Sequence, residues 1–333
     1  MIHTNKQKHD VFSPNQLPQV IEKIRANDPK LLVLKISIYL DTQNLQDLAD
    51  ALLANTTLRS LNLLRDSSLQ STAKYPLATE GAQALAKVIE QNKTLQKINL
   101  FYVLDSPNMQ ILATAITKNS TLQELLLNSS INDASAIVLA AAITNHPSLQ
   151  LVNLSVNNIG DIGAQSLAQV ISPKLQVYLS WNQIGIKGAT ALIDALKTQR
   201  TLNLSGNALG DDGAQAVANL IADSTFIKEV YLIKNEIGDL GAQALADAIE
   251  RSPALRKIYL ADNKITQIGQ TALVDKLSKN FKISLISGIP RNYHNIIITP
   301  RIELLRQWAA FCIAGLEKSA AVGAPEHRAQ GTV

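Results

Sequence analysis

The chain has 333 residues, of which 46% are apolar, 4% aromatic and 17% charged; alanine and leucine carry the apolar share, which suits a soluble protein with a large, thin core. That length holds two ordinary domains or one elongated repeat domain, and a single cysteine, Cys312, excludes intramolecular disulfides and Cys-cluster metal sites. The net charge of +4 is spread along the chain rather than gathered into a stripe, which makes it weak evidence for a nucleic-acid partner.

The N-terminal stretch MIHTNKQKHDVF lacks the apolar run of a signal peptide, so a cytoplasmic protein outside the Sec route is expected. Ser13 to Asp28 (SPNQLPQVIEKIRAND) reads as an amphipathic helix with Val20, Ile21 and Ile24 on one face. Residues 1–30 are therefore expected to form a tail and a capping helix.

From Leu31 the chain repeats itself. Each unit opens on the pattern L-x-x-L-x-L-x-x-N, as in LQLVNLSVN (Leu149 to Asn157), IKEVYLIKN (Ile227 to Asn235) and LRKIYLADN (Leu255 to Asn263). Units open near Leu31, Leu58, Leu95, Leu122, Leu149, Lys174, Gln199, Ile227, Leu255 and Phe281, giving about ten repeats over residues 31–282. Most are a little under thirty residues long. After each strand pattern come I/L-G and a helical stretch.

In GAQSLAQVI the apolar residues Ala164, Leu167, Ala168 and Ile171 fall on one helical face. The same face returns as Ala82, Leu85, Ala86, Ile89; as Ala136, Leu139, Ala140, Ile143; as Ala214, Val217, Ala218, Ile221; and as Ala242, Leu245, Ala246, Ile249. Alanine there, with Gly163, Gly213 and Gly241, implies a helix lying close against the strand layer. Gly160, Gly210 and Gly238 are expected to supply turns of positive φ. Asp161, Asp211 and Asp239 stand where orphan helix amides need an acceptor. Asn157, Asn182, Asn207, Asn235 and Asn263 should form a ladder that satisfies backbone groups as the chain leaves each strand.

Two places depart from the rule. The second repeat carries an insertion at 67–80, including Lys74 and Tyr75, of about nine residues more than the period needs. It is read as a rim contact or as a tolerated loop. The C-terminal stretch, 283–333, offers a second capping helix with Leu304, Leu305, Trp308, Phe311 and Cys312, followed by a flexible tail. The apolar run from Trp308 to Leu316 is too short to span a membrane and begins beside Arg301, Glu303 and Arg306.

Signals of chemistry are scarce. His3, His9, His146, His294 and His327 are scattered, without metal-ligand spacing. Runs such as GDIG recur at the repeat period and lack the Lys-Ser/Thr of a phosphate loop. The sequons at Asn55, Asn92 and Asn119 recur where helices end, so capping accounts for them better than glycosylation. No catalytic residue, cofactor or metal site is expected.

Together these repeats resemble the ribonuclease-inhibitor-type leucine-rich repeats, and most closely the GAxALA variety of bacterial effectors, the GALA type, over roughly Leu31 to Lys282. The resemblance implies an α/β leucine-rich repeat solenoid, a right-handed horseshoe with parallel strands on the concave face, helices on the convex face and a helical cap at each end. It fixes no partner, and one cysteine sets the chain apart from the cysteine-rich ribonuclease inhibitor itself.

Residues between the buried leucines then point into the hollow. The candidate protein-binding residues are Lys97, Asn99, Phe101, Tyr102, Asn153, Tyr178, Trp181, Asn203, Glu229, Tyr231, Lys257 and Tyr259. In a chain so poor in aromatics, the rings among them stand out, because tyrosine and tryptophan dominate binding hot spots. The expected function is a non-catalytic scaffold that grips another protein, a host protein or a second effector, with no nucleic acid, membrane or metal involved. An effector would reach the host by a secretion system that needs no signal peptide. The alternative is the substrate-recruiting part of a ubiquitin ligase assembly: LPQVIEKI is similar to the start of an F-box, although the segment before the first repeat is too short for that domain.

Overall fold

Apolar residues two apart on a short segment demand a strand with one buried face, and the alanine-lined stripe demands a helix against it. The computed structural model describes residues 8–11, 13–38, 40–64, 77–102, 104–128, 130–279 and 284–286. The insertion core at 65–76, Phe281, and the C-terminal stretch from residue 287, with Leu304, Leu305, Trp308, Phe311 and Cys312, lie outside the described residues.

Strands and helices alternate throughout. The first half runs β1 (Lys8–Val11), α1 (Leu17–Arg25), β2 (Val33–Ile36), α2 (Thr42–Leu53), β3 (Ser60–Leu63), α3 (Thr79–Gln91), β4 (Lys97–Leu100), α4 (Ser106–Lys118), β5 (Glu124–Leu127) and α5 (Asp133–Ile143). The second runs β6 (Leu151–Asn153), α6 (Asp161–Ala168), β7 (Gln176–Tyr178), α7 (Ile186–Leu196), β8 (Thr201–Asn203), α8 (Gly210–Asp223), β9 (Glu229–Tyr231), α9 (Asp239–Arg251), β10 (Lys257–Tyr259), α10 (Gln267–Lys279) and β11 (Ser284–Ile286). Each named pairing is parallel and joins strands consecutive in the chain, such as Lys97 beside Glu124 and Glu229 beside Lys257. The result is an α/β leucine-rich repeat solenoid whose sheet does not close on itself. Strands repeat every ~4.8 Å whereas packed helices need ~8–10 Å, so the helical side is the longer arc.

One apolar cluster runs the length of the molecule, from Val11 to Leu277. The paired strand leucines, for example Leu125 with Leu127 and Leu202 with Leu204, are at most 1% exposed. Of the helix faces read from the sequence, those of α3, α5, α8 and α9 are fully buried. Helix α6 ends at Ala168, so Ile171 lies beyond it and is half-buried. Val20, Ile21 and Ile24 of α1 are buried against the same cluster, while β1, which carries none of the repeat's leucine spacing, extends the sheet beyond β2.

Polar ladders tie the units together. Asn182 Nδ2 donates to Leu154 O at 2.9 Å in the preceding repeat, and its Oδ1 accepts Ile159 N at 3.0 Å. Asn157, Asn207 and Asn263 make the same kind of bond to the repeat before. A second ladder occupies the helix ends: Asn55, Asn92 and Asn119 are buried and donate to Ile24 O, Leu52 O and Ile89 O. Their burial and bonding leave no room for a glycan. His146 takes the next place, its Nδ1 accepting Leu149 N at 3.1 Å.

The aspartates cap differently from the sequence expectation. Asp161 and Asp239 are not caps of the helices they begin; each serves the next repeat. Asp161 Oδ1 accepts Gly185 N and Gly188 N, both at 2.8 Å. Asp211 Oδ1 accepts Gly238 N at 2.6 Å and Gly241 N at 3.0 Å. This also corrects the reading of the turn glycines. Gly160 and Gly238 have φ of −98°, and only Gly210, at +60°, uses the left-handed region. What Gly238 provides is space: a Cβ there would sit 3.1 Å from Asp211 Oδ2.

Candidate functional site

The residues between the buried leucines lie on the open face of the sheet. Tyr178, Tyr231 and Tyr259 are half-buried, each with polar neighbours on the same strand. Because Glu229 and Lys257 face each other in register, Tyr231 and Tyr259 do too, and their rings stack at 4.1 Å between centroids with 7° between planes. The Tyr231 hydroxyl donates to Glu229 Oε2 at 2.8 Å, and Lys257 Nζ donates to Glu229 Oε1 at 2.9 Å. The Lys257 ammonium, and then the Tyr231 hydroxyl, hold the Glu229 carboxyl below its ordinary value. Burial first, then Tyr259 and Glu229, push the Tyr231 hydroxyl well above the usual tyrosine range, so it stays a donor. The cluster is a rigid block with fixed hydrogen-bond polarity.

Trp181 is presented by a different device. Its backbone has a positive φ of +59°, and Val156, Gly206, Lys234 and Asp262, at the same place in their repeats, also have positive φ. For a bulky residue this costs about 1–3 kcal/mol, and it turns the indole out of the core to 45% exposure. The ring lies on Gly206, where a Cβ would meet Trp181 Cδ2 at 2.5 Å. Lys234 Nζ sits 5.1 Å from the ring centroid, a cation–π contact.

Tyr102 corrects the sequence reading. It occupies the matching place after β4, yet its own φ is not in the left-handed region. The strand alternation therefore continues and buries the ring to 5% exposure. It belongs to the core. Its neighbour Phe101 is half-buried on the open face with Asn99 and Lys97, and Lys97 pairs with Glu124. Asn99 Oδ1 has no hydrogen-bond partner among the described residues. Asn153 and Asn203 direct their Oδ1 atoms to Ser155 N at 2.9 Å and Ser205 N at 3.1 Å, so they stiffen strand exits.

The predicted residues thus form two groups on one wall. Lys97 and Asn99 on β4, with Phe101 just past its end, are three strands, roughly 14 Å, from Tyr178 on β7. The larger group spans β6 to β10, from Asn153 to Tyr259. Sequence reasoning missed the basic residues Arg200, Lys228 and Arg256, each just before a strand of that group. Among the described residues no cluster of His, Cys, Asp and Glu is placed to hold a metal, and no helix is long and apolar enough to cross a membrane.

An open parallel wall backed by helices, built from stacked units, defines a repeat solenoid with a presenting face. The family model described as Leucine Rich repeat matches residues 145–168, 200–218 and 223–246, so the chain carries leucine-rich repeats. Such repeats generally act as non-catalytic binding scaffolds.

Among solved structures, the leucine-rich repeat-containing protein LegL7 from Legionella pneumophila is similar at 15% identity, covering 90% of this chain and 97% of that one, with a TM-score of 0.49. A TLR13–ssRNA13 complex is similar at 16% identity over 80% of this chain and 37% of that one, TM-score 0.44. Leiomodin-1 actin-binding site 2 is similar at 16% identity over 40% of this chain and 80% of that one, TM-score 0.28. These likenesses concern the repeat architecture alone. No curated protein matches the chain.

Proposed function

We propose that the protein holds another protein against its concave face and does so without catalysis. Tyr178, Trp181, Tyr231 and Tyr259 are the anchors; Glu229, Lys257, Asn203 and Asn153 line the wall between them, and Lys97, Asn99 and Phe101 form an outlying contact. The observation that carries this reading is the fixed presentation of the rings. Tyr231 is locked by Tyr259 and Glu229, and Trp181 is held outward on a strained backbone over Gly206. Aromatics that are already ordered lose little entropy on binding, and such rings dominate binding energy.

A target occupying a standard interface of about 1,600 Å² would cover several strands and could block an active site of that target. The GAxALA wording of the helices supports a finer reading, an effector that acts in the cytoplasm of a host cell. Affinity capture tests the proposal. The intact chain should retain a specific protein that a Tyr178→Ala, Trp181→Ala, Tyr231→Ala variant loses. Equal retention by both would remove the assigned face.

A further inference from the structure

Among the described residues the sheet is interrupted in one place, between β7 and β8. At the entries of β4, β6 and β10 the amide donates to the strand before it: Gln96 N to Arg59 O at 2.8 Å, Gln150 N to Gln123 O at 2.9 Å, Arg256 N to Lys228 O at 2.8 Å. The Arg200 amide makes no such bond, and Gln199 N turns back to Leu196 O at 2.8 Å. The two strands are joined beyond their exits, where Trp181 N donates to Ser205 O at 2.6 Å. They form a wedge, open at the entry and shut past the exit.

The cause is written in the repeat. Leu58, Leu95, Leu122, Leu149, Ile227 and Leu255 fill the core two residues ahead of their strands, all at most 5% exposed. Ahead of β7 and β8 the same place holds Lys174 and Gln199. The aspartate cap is missing at this junction as well, since Ile186 replaces it. Strand starts are 25 residues apart from β6 to β7 and from β7 to β8, against 28 from β8 to β9.

The wedge is a narrow cleft of about 90 Å³, open to solvent. Its floor is apolar, with Leu179, Leu196 and Leu204; around the rim are Gln176, Arg200, Thr201 and Asn203, and no carboxylate lines it. Main-chain groups face it from both sides. Gln176 N and Tyr178 O are bonded toward β6, while Arg200 O and Leu204 N are bonded toward β9. Alternate residues of a parallel ladder serve opposite neighbours, so Val177, Thr201 and Asn203 turn their N–H and C=O groups into the gap.

Beside the cleft is a row of like charge. Arg200, Lys228 and Arg256 stand one residue ahead of strands in mutual register. None of the three is in an ion pair among the described residues, whereas Glu229, the adjacent carboxylate, is engaged by Lys257. Positive groups on neighbouring strands repel unless an anion joins them.

We infer that the wedge and this basic row receive an extended acidic segment of the partner protein. Its main chain pairs with the free edges at Val177 and Thr201, one carboxylate reaches Arg200, and others reach Lys228 and Arg256. The inference rests on the binding-face reading above and specifies the partner's chemistry. Two free strand edges over a narrow apolar floor suit a peptide main chain rather than a nucleobase.

The test uses the full chain and a fluorescein-labelled short peptide alternating Glu and Val, followed by anisotropy and by amide hydrogen exchange. Its Gln/Val analogue and a short oligo-dT serve as comparisons. The Glu/Val peptide is expected to bind in preference to both and to slow exchange at Val177 and Thr201. Arg200→Ala should weaken it about tenfold, the effect of one lost charged contact. Gln199→Leu, which restores the missing core leucine, should close the cleft and abolish binding in a chain at least as stable as the original.

Equal binding of the Gln/Val peptide, an unchanged affinity in Arg200→Ala, or a preference for oligo-dT would each overturn the inference. If capture of a partner protein is lost in Tyr231→Ala but survives Arg200→Ala, and the Glu/Val peptide does not bind, the inference falls while the binding face stands. If capture survives the triple aromatic variant and the peptide still binds at the wedge, it is the aromatic assignment that fails.

Discussion

Replacing Asp211 with alanine asks whether caps that cross between repeats hold the stack together. Its Oδ1 accepts two amides at the start of α9, Gly238 N at 2.6 Å and Gly241 N at 3.0 Å. Gly241 is buried, and a Cβ on it would already lie 2.8 Å from the Ala214 Cβ, so no neighbouring side chain can swing in as a substitute. A lost N-cap costs about 1 kcal/mol and a charged hydrogen bond about 1.5–3 kcal/mol. Water reaches the partly exposed Gly238 amide, so the expected loss is about 2 kcal/mol. The loss falls on the interface between two repeats, which in a one-dimensional stack is where cooperativity resides. Denaturant unfolding followed by circular dichroism measures it, with the exposed neighbour Asp212→Ala as control and Asp211→Asn as a variant that keeps an acceptor oxygen. Asp211→Ala should lower the midpoint clearly, Asp211→Asn by less than half as much, and Asp212→Ala hardly at all. Equal midpoints for Asp211→Ala and Asp212→Ala would refute the cross-repeat cap.

Gly206→Ala places a methyl group at φ of +69° against the Trp181 ring; it should cost about 1–2 kcal/mol and shift tryptophan emission, and an unchanged spectrum and midpoint would contradict the packing. His146 has its pKa lowered from 6.5, first by burial, with the Ile116 and Asn119 backbone opposing. Above pH 6.5 folded and unfolded chains both hold it neutral; below it the unfolded chain binds the extra proton, so stability falls as pH drops. His146→Asn, the residue that precedes it in the ladder, should flatten that dependence between neutral and mildly acidic pH, and parallel pH profiles for the two proteins would exclude the effect.

The fold was legible because burial is periodic: leucines two apart can satisfy only a strand, and the alanine stripe only a closely packed helix. The buried asparagines were legible for the same reason, since a polar residue recurring at a core position must bond to backbone. The aspartates were recognised as caps, but their target lies one repeat away, and a sequence read along the chain gives no view across the stack. Tyr102 was misplaced because its exposure depends on the sign of one φ angle, which separates it from Trp181 at the equivalent place. Strand β1 was missed because its sequence, KHDV, carries none of the leucine spacing, although it pairs with β2 and places Val11 in the core. The wedge had left a trace, since Lys174 and Gln199 open their repeats where leucine belongs. What that trace did not convey was that the strands part there, because a gap in a sheet follows from two neighbours failing together.

Amide hydrogen exchange of the intact chain, free and with a captured partner bound, addresses the presenting face most directly. Slowed exchange concentrated at residues 176–181, 229–234 and 257–262, with the outer surfaces of α7 to α10 little changed, is the predicted result. Protection gathered on the helical side, with those strand exits exchanging as fast as in the free protein, would contradict it.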